Sequence, residues 1–225
     1  MTEKRVYVEG SVLQDSMTYA GEVVLTYKIE YPKFQSFVYK QAIRIMNKYY
    51  ETKAYTVQRY CRKDLYTMAV EQYKYDLEND FPIRVFDAVM DFKITYNEEC
   101  IISLYSDKYE YTGGAHGNTV RTSQTWNMQT KKMIELAELF PCSFDYKLYI
   151  YRKIKEQIAL DPSIYFEDYE KLVVETFNPE NYYATPEGLI IYYQQYDIAP
   201  YASGIREFLI PYSHCVINPK NLCAC

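Results

Sequence analysis

Residues 33–81 contain neither glycine nor proline, and this uninterrupted stretch limits the possible folds more than any other feature of the sequence. It is rich in lysine, glutamate, glutamine, arginine and methionine, which are good helix formers. The stretch predicts one long helix or two consecutive helices. Apolar residues recur at helical spacing, clearly at first and then less regularly: Phe34, Phe37, Val38, Ile45, Met46 and Tyr49, followed by Val57, Tyr60, Leu65, Met68 and Ala69.

Segments on both sides of this stretch alternate apolar and polar residues with a period near two, which is typical of strands. We expect Pro32 to end the first strand, and Asn97-Glu98-Glu99 to form the turn of an antiparallel hairpin. Strands are predicted over residues 22–31, 83–96, 100–111, 119–128, 182–185, 189–194 and 205–211. Shorter helices are predicted over residues 132–140, 143–160 and 165–177.

The order of strands, helical stretch and strands, without repeated β-α-β alternation, predicts an α+β fold. We expect an antiparallel sheet packed against one long helix or two consecutive helices, with further short helices. The pattern changes after Pro82, which divides the chain into residues 1–81, with the first strand and the long helical region, and residues 82–225, an α+β domain. Because a chain of this length can bury about 70% of its unfolded surface, we expect the two regions to form one compact unit.

The charge distribution argues against nucleic acid as a partner. The chain has 25 basic and 30 acidic residues, a net charge of −5, and its two halves are nearly alike. The sequence shows no basic patch, whereas nucleic-acid-binding domains are usually basic. A mildly acidic surface favours a cationic partner.

No apolar run approaches the ~20 residues that a membrane-spanning helix needs. Lys4 and Arg5 stand near the start, but no apolar segment follows them, so we expect no signal peptide. As written, the sequence predicts a cytoplasmic protein. An extracytoplasmic location is the alternative if a leader or membrane anchor has been removed.

The six cysteines are scattered without the spacing of a disulfide framework, at positions Cys61, Cys100, Cys142, Cys215, Cys223 and Cys225. We expect reduced thiols, as in cytosolic proteins, and a frayed C-terminal tail. His214, Cys215, Cys223 and Cys225 are soft metal ligands, but their adjacent or one-apart spacing does not suit a tetrahedral zinc site. We therefore predict no metal and no cofactor.

The only glycine cluster is Gly113-Gly114-Ala115-His116-Gly117, between two predicted strands. A glycine pair allows a turn whose N–H groups face an anion, but the Lys-Ser/Thr of a phosphate-binding loop is missing. His116 is either a turn residue bonded to the backbone or a contact residue on an exposed loop. A catalytic histidine would need a nucleophile or a carboxylate within reach, and local spacing indicates none.

Tyrosine is unusually common, with 28 Tyr beside 10 Phe and one Trp. Its ring is apolar and its tip polar, so it suits both half-buried positions and contact surfaces. Either Tyr replaces Phe and Leu in an aromatic core, or some rings form a recognition surface. Residues 195–204 favour the second interpretation locally, because Tyr196 and Tyr201 lie in a loop that Pro200 stiffens.

Three segments together resemble a known architecture: Tyr111 to His116 after two strands, Ile134 to Phe140 as a short helix, and Glu187 to Gly204. Their order is similar to the extracytoplasmic paired domain of lysozyme-sensing anti-sigma factors of Gram-positive bacteria. The same pair stands beside the catalytic domain of some peptidoglycan deacetylases. The resemblance implies a binding module, which in the anti-sigma factors binds lysozyme. We expect neither a transmembrane segment nor a sigma-binding N-terminal tail from the sequence as written, so only the recognition fold is carried over.

We therefore predict a non-catalytic recognition domain for a cell-envelope component or a lysozyme-like protein, so that the partner is a protein or a cell-wall component. The predicted contact residues are His116, Asn118, Tyr196, Asp197 and Tyr201, on two loops that share one surface and are shaped by Gly113, Gly114, Pro200 and Gly204. A hydrolase that uses His116 with a distant carboxylate is one alternative, and a cytosolic structural or assembly protein is another. The sequence indicates no oligomeric state.

Overall fold

The computed structural model describes residues 6–142 and 145–224. The strands are β1 (Tyr7–Tyr19), β2 (Glu22–Gln35), β3 (Phe86–Glu98), β4 (Ile101–Tyr111), β5 (Asn118–Asn127), β6 (Lys132–Met133), β7 (Tyr182–Ala184), β8 (Gly188–Tyr193) and β9 (Arg206–Pro211). The helices are α1 (Lys40–Tyr60), α2 (Tyr66–Glu78), α3 (Tyr146–Ile158) and α4 (Tyr169–Glu175), and a π-helical segment, Cys61–Leu65, joins α1 to α2. Helices make up 34% and strands 37%, which confirms the predicted α+β fold.

The chain divides into two compact units. The helix unit comprises Tyr7–Phe92 and Ser106–Val120, and the described residues of the C-terminal unit are Val6, Lys93–Tyr105, 121–142 and 145–224. The boundary expected between residues 81 and 82 falls inside the helix unit. The chain passes from one unit to the other within β3, β4 and β5, and a passage inside a strand leaves no loop signal in the sequence.

Six strands are hydrogen-bonded in the order β1-β2-β3-β4-β5-β6. β1 and β2 form an antiparallel hairpin, whose turn residues Ala20 and Gly21 both have positive φ, as the favoured two-residue turns require. β2 and β3 instead run parallel, with Leu25–Ile29 beside Phe86–Met90. The sheet is thus mixed rather than wholly antiparallel as expected, because the long helix between β2 and β3 is a crossover that allows the chain to resume its first direction.

α1, the π-helical segment and α2 form one continuous helix of 39 residues, one of the two arrangements predicted. One turn of an α-helix contains 3.6 residues. Apolar residues spaced four apart therefore form a stripe that drifts gradually around a straight helix. The wider π-helical turn rotates the stripe back towards Leu25, Ile29 and Phe86 in the core. The buried helix residues with this spacing are Ala42, Met46, Tyr50 and Ala54, then Cys61, Leu65, Ala69 and Tyr73.

β2 continues past Pro32 to Gln35, so the prediction that Pro32 ends the strand is wrong. Pro32 lies opposite Gly10 of β1, whereas β3 pairs only with Leu25–Ile29. Pro32 therefore occupies a part of β2 with one neighbouring strand, where a missing N–H is tolerated. The apolar pattern does not predict β1 either, because its residues are exposed or half-buried and give little apolar signal.

The C-terminal unit contains a second sheet, with the order β7-β8-β9 and both pairs antiparallel. α3 buries Ile150, Ile154 and Ile158 on one face. Gln157 in the same helix donates a hydrogen bond to the Leu209 carbonyl in β9, at 3.1 Å. The helix thus covers the sheet with apolar side chains and one directed polar contact.

Part of the tyrosine excess belongs to the core of this unit. The hydroxyl of Tyr193, which is 1% exposed, donates to the Val173 carbonyl at 2.8 Å. The hydroxyl of Tyr182 donates to the Ile134 carbonyl at 2.6 Å. Each ring fills apolar space while its hydroxyl pairs a buried carbonyl that phenylalanine would leave without this donor.

Two disulfides lie in the C-terminal unit, Cys100–Cys223 and Cys142–Cys215. The expectation of reduced thiols is wrong for these four cysteines. Their partners are 123 and 73 positions apart, so only folding brings them together. Cys61 in the helix unit is a buried free thiol.

The C-terminal tail is ordered, in contrast to the frayed tail that we expected. Pro219–Leu222 form a 3₁₀ turn, and the side chain of Asn218 accepts a hydrogen bond from the Lys220 N–H at its start. The Ala224 N–H donates to the side chain of Gln129 at 2.8 Å. Cys225 lies outside the described residues.

The long chain segment enclosed by Cys100–Cys223 leads us to expect a large stabilisation, because a cross-link reduces the entropy of the unfolded chain. The Cys100→Ser, Cys223→Ser double variant should lose about 2–5 kcal/mol of unfolding free energy in urea denaturation. A reductant should destabilise the parent protein but add little to a variant that lacks both disulfides. Mass spectrometry that finds free thiols at Cys100 and Cys223 in protein purified without reductant would contradict the pairing.

Candidate functional site

The loop between β4 and β5, called the His116 loop, belongs to the helix unit. His116 and Asn118 are exposed, whereas Gly113 and Gly117 are buried. Gly113 has a φ of +82°, and a Cβ atom on Gly117 would approach the Tyr109 ring to less than 3.0 Å. The two glycines therefore allow the turn and the close packing that leave His116 at the surface.

A buried ion pair supports the base of the His116 loop. Asp76, near the end of α2, is fully buried and pairs with Arg84, which precedes β3. Arg84 Nη1 donates to the Gly113 carbonyl at 3.3 Å, and Gln72 Nε2 donates to Asp76 Oδ1 at 2.8 Å. Hydrogen bonds from Arg84 keep the pKa of Asp76 below its ordinary value despite burial, so the carboxylate stays ionised. Helix, connecting segment and loop are joined through the Asp76–Arg84 pair.

The His116 ring contacts its own loop. Its Nδ1 atom lies 3.0 Å from the Gly117 carbonyl oxygen, which can only accept, so Nδ1 carries the proton in this bond. This is the local backbone contact that one interpretation of His116 anticipated. The exposure of His116, Gly114 and Asn118 also leaves them accessible to a partner, so their role as contact residues stays a prediction.

The loop after β8, residues 194–205, is called the Tyr196 loop and belongs to the C-terminal unit. Tyr196 is 52% exposed, and the centroids of the Tyr196 and Tyr201 rings lie 5.9 Å apart. Between them, Ile198 and Ala199 are buried. The loop is therefore folded onto the core of its unit and presents the two rings side by side.

Gln194 and Asp197 fix the start of the Tyr196 loop. Asp197 Oδ2 accepts from the Gln194 N–H at 2.7 Å, and the Asp197 N–H donates to the Gln194 carbonyl at 3.2 Å. Burial raises the pKa of Asp197, while the bond from the Gln194 N–H opposes that rise. The Gln194 side chain pairs with both backbone groups of Arg121 in β5, at 2.9 and 2.7 Å. These bonds hold the backbone that carries Tyr196.

The Arg121 side chain is a buried charge that no sequence motif indicates. It is 8% exposed, forms an ion pair with Glu207, and lies with its guanidinium carbon 3.7 Å from the centroid of the Tyr105 ring. The Tyr183 hydroxyl donates to the same Glu207 carboxylate at 2.9 Å, and burial raises the pKa of Tyr183. Arg121 and Glu207 are 86 positions apart, so no local motif indicates the pair.

Pro200 and Gly204 bound the 3₁₀ turn Tyr201–Ser203 at the end of the Tyr196 loop. Pro200 has the φ of −61° that its ring imposes. Gly204 has a φ of +65° and a ψ of −160°, a region essentially restricted to glycine. Arg206 Nη1 donates to the Ser203 carbonyl at 3.1 Å, which secures the exit from the turn.

The predicted site residues thus fall into two groups, each assembled within its own loop. His116, Asn118, Gly113 and Gly114 belong to the helix unit; Tyr196, Asp197, Pro200, Tyr201 and Gly204 belong to the C-terminal unit. That the two loops share one contact surface stays a prediction. Gln194 and Arg121, which position the second group, were missed because neither residue type marks a loop or a charge cluster in the sequence.

Cys142, His214 and Cys215 bring three possible metal-ligating atoms within 4.8 Å of one another. The two sulfur atoms are bonded to each other, so they are not the thiolates that a zinc ion binds. Cys223 pairs with Cys100 instead of joining this group. This group is therefore the Cys142–Cys215 disulfide with His214 beside it.

Two family models match successive parts of the chain. Residues 20–119, which include the His116 loop, match the model described as "Deacetylase PdaC". Residues 137–213, which include the Tyr196 loop, match the model described as "Protein of unknown function (DUF3298)". No curated protein matches the sequence.

The fold is similar to that of two solved structures. A DUF3298 family member from Bacteroides fragilis has a TM-score of 0.71 at 20% sequence identity, with 95% of each chain covered. A DUF3298 family protein from Pseudomonas aeruginosa has a TM-score of 0.58 at 16% identity, with 92% of this chain and 90% of that chain covered. These findings support the resemblance at the level of the two domain families; the finer likeness to lysozyme-sensing anti-sigma factors stays a prediction.

The Asp76–Arg84 pair should make the stability of the protein depend on pH at the acidic end. The pKa of Asp76 is lowered in the folded state, from about 3.9 in the unfolded chain. Its contribution is therefore fully present above the unfolded-state pKa and is lost as the pH falls through the folded-state pKa. Urea denaturation at a series of acidic pH values measures this dependence. As the pH falls, the unfolding free energy of Asp76→Asn should decline less steeply than that of the parent protein.

The exposed Asp64→Asn variant is the matched control for this measurement and should keep the slope of the parent protein. Equal slopes for the parent and the Asp76→Asn variant would contradict the role of Asp76.

Proposed function

We propose that this chain is a non-catalytic recognition domain that binds a protein or cell-wall component of the bacterial envelope through the Tyr196 loop. The observation that carries the proposal is the pair of neighbouring rings, Tyr196 and Tyr201, on a backbone secured by Gln194. Tyrosines offer large, flat contact areas with few rotatable bonds, and a fixed backbone reduces the entropy lost on binding. The loop therefore has the physical character of a preorganised contact surface.

The proposal includes an oxidising, extracytoplasmic location. Disulfides persist in such compartments and are rare in the cytosol, and this chain contains Cys100–Cys223 and Cys142–Cys215. Within residues 6–142 and 145–224, no helix is both long and apolar enough to cross a bilayer.

A lysozyme-like protein is the first partner to test. The sequence resemblance implies a domain that binds lysozyme; the net charge of −5 is compatible with a cationic partner but too small to select one. The same resemblance implies that, in peptidoglycan deacetylases, the chemistry belongs to a separate domain. A cell-wall polymer is therefore the second partner to test.

The Tyr196→Ala, Tyr201→Ala double variant should weaken binding at least about thirtyfold, because two anchor rings contribute about 2 kcal/mol or more. Calorimetry measures binding to lysozyme, and co-sedimentation measures binding to insoluble peptidoglycan. The Tyr55→Ala, Tyr75→Ala double variant is the matched control, since both rings are half-exposed on the long helix of the other unit.

Unchanged affinity in a folded Tyr196→Ala, Tyr201→Ala variant would show that the contact surface is elsewhere. Binding of neither lysozyme nor peptidoglycan by the parent protein would reject both partner classes. Unfolding of the double variant would show that the two rings belong to the core.

The His116→Ala variant distinguishes this proposal from the hydrolase alternative. A catalytic histidine should cost about a hundredfold or more in rate when it is removed. If His116 is only a contact residue on an exposed loop, its replacement by alanine should reduce the affinity for the partner only modestly. A hydrolytic activity on peptidoglycan that disappears in His116→Ala would reject the non-catalytic role.

A further inference from the structure

The turn between β2 and α1 exposes an unusual amount of apolar surface. Phe37 is 90% exposed, more than any other large apolar side chain of the described residues, and Val38 is 52% exposed. Tyr7, which is 58% exposed, lines a groove of about 320 Å³ together with Phe37 and Lys40. Tyr7, Phe37 and Val38 are called the apolar tip below.

The backbone of the apolar tip is fixed by side chains. Ser36 Oγ accepts hydrogen bonds from the N–H groups of Val38 and Tyr39, both at 3.3 Å. Asn47 of α1 pairs with both backbone groups of the buried Phe34, at 2.8 and 3.0 Å. The exposure of Phe37 is therefore a consequence of a defined turn and of a helix that is tied to the end of β2.

Three basic residues follow the apolar tip on one face of α1. Lys40, Arg44 and Lys48 are four residues apart and exposed, and they are called the basic ladder. Between Glu30 and Glu51 the sequence contains no acidic residue. Across the part of the chain that the structure describes, none of the three forms an ion pair. The charge counts over the two halves of the chain do not show this local excess of positive charge.

The basic ladder is unfavourable for the helix that carries it. Like charges four residues apart repel each other. Lys40 is the first helical residue, at the end of the helix where the dipole favours anions, and the first turn has neither an acidic residue nor a side-chain cap. Local rules are broken most often at functional or strained sites. A large anionic partner would offset the repulsion.

We propose that the apolar tip and the basic ladder dock together on an anionic lipid surface. Apolar side chains enter the boundary between headgroups and acyl chains, and tyrosine is favoured at that boundary. Lysine and arginine beside them attract anionic headgroups. An acidic protein would match the basic ladder alone, whereas a lipid surface matches both the charge and the exposed Phe37. All these residues lie in the helix unit, so the proposal is independent of the Tyr196 loop.

Vesicle sedimentation with the full chain tests the proposal. The protein should bind vesicles of equal parts phosphatidylglycerol and phosphatidylcholine, and bind pure phosphatidylcholine vesicles at least about tenfold more weakly. Added salt should reduce the binding through screening. Lys40→Gln, Arg44→Gln, Lys48→Gln should weaken it about a hundredfold, roughly fivefold for each charge. Phe37→Ser should weaken it about tenfold.

Two matched controls separate the site from general effects of charge and apolarity. Lys63→Gln, Lys132→Gln, Lys147→Gln removes the same charge from exposed positions elsewhere, and Leu160→Ser removes another apolar side chain, one that is 87% exposed. Both control variants should bind as the parent does. Circular dichroism should show every variant folded, since all the replaced side chains are exposed.

Insertion of the tip can be observed directly with Phe37→Trp, whose fluorescence should shift to shorter wavelength on addition of phosphatidylglycerol vesicles. Equal binding to both kinds of vesicle, or an equal loss in the ladder variant and its control, would overturn the proposal. Binding of poly-glutamate at the basic ladder without any vesicle binding would also overturn it and would indicate an acidic protein as the partner.

Discussion

The packing of one long helix on β2 and β3 is the constraint on which the helix unit depends. β2 has strands on both sides, so side chains such as Leu25 and Ile29 leave water only when a helix covers them. The length of that helix determines where the chain returns to the sheet, and therefore that β3 runs parallel to β2. It also determines where Asp76 lies, and thereby where Arg84 and the His116 loop are secured.

Both candidate loops depend on polar residues that lie beneath them. In the helix unit this residue is Asp76, and in the C-terminal unit it is Gln194, which joins the Tyr196 loop to the backbone of Arg121. Removing one partner of a buried polar pair leaves the other without compensation, so losing either partner should destabilise the loop that the pair holds.

Local periodicity was sufficient to predict the long helix and most strands, because the spacing of apolar residues reports which face is buried. It could not indicate the parallel β2–β3 pair or the Cys100–Cys223 disulfide, since both join distant parts of the sequence. Pro32 was misleading for a related reason: its effect depends on how many strands flank it. The two loops could be located from glycine and proline, but Gln194 looks like any other polar residue until the fold shows what it contacts.

The turn between β3 and β4 has a mechanical consequence. Asn97 forms two hydrogen bonds with the backbone of Val6, at 2.8 and 3.4 Å, and Cys100 is covalently joined to Cys223. A pulling force applied between residues 6 and 223 would therefore first load these two hydrogen bonds and the disulfide through a few residues of one hairpin, and residues 7–92 would carry it only after the hydrogen bonds had broken.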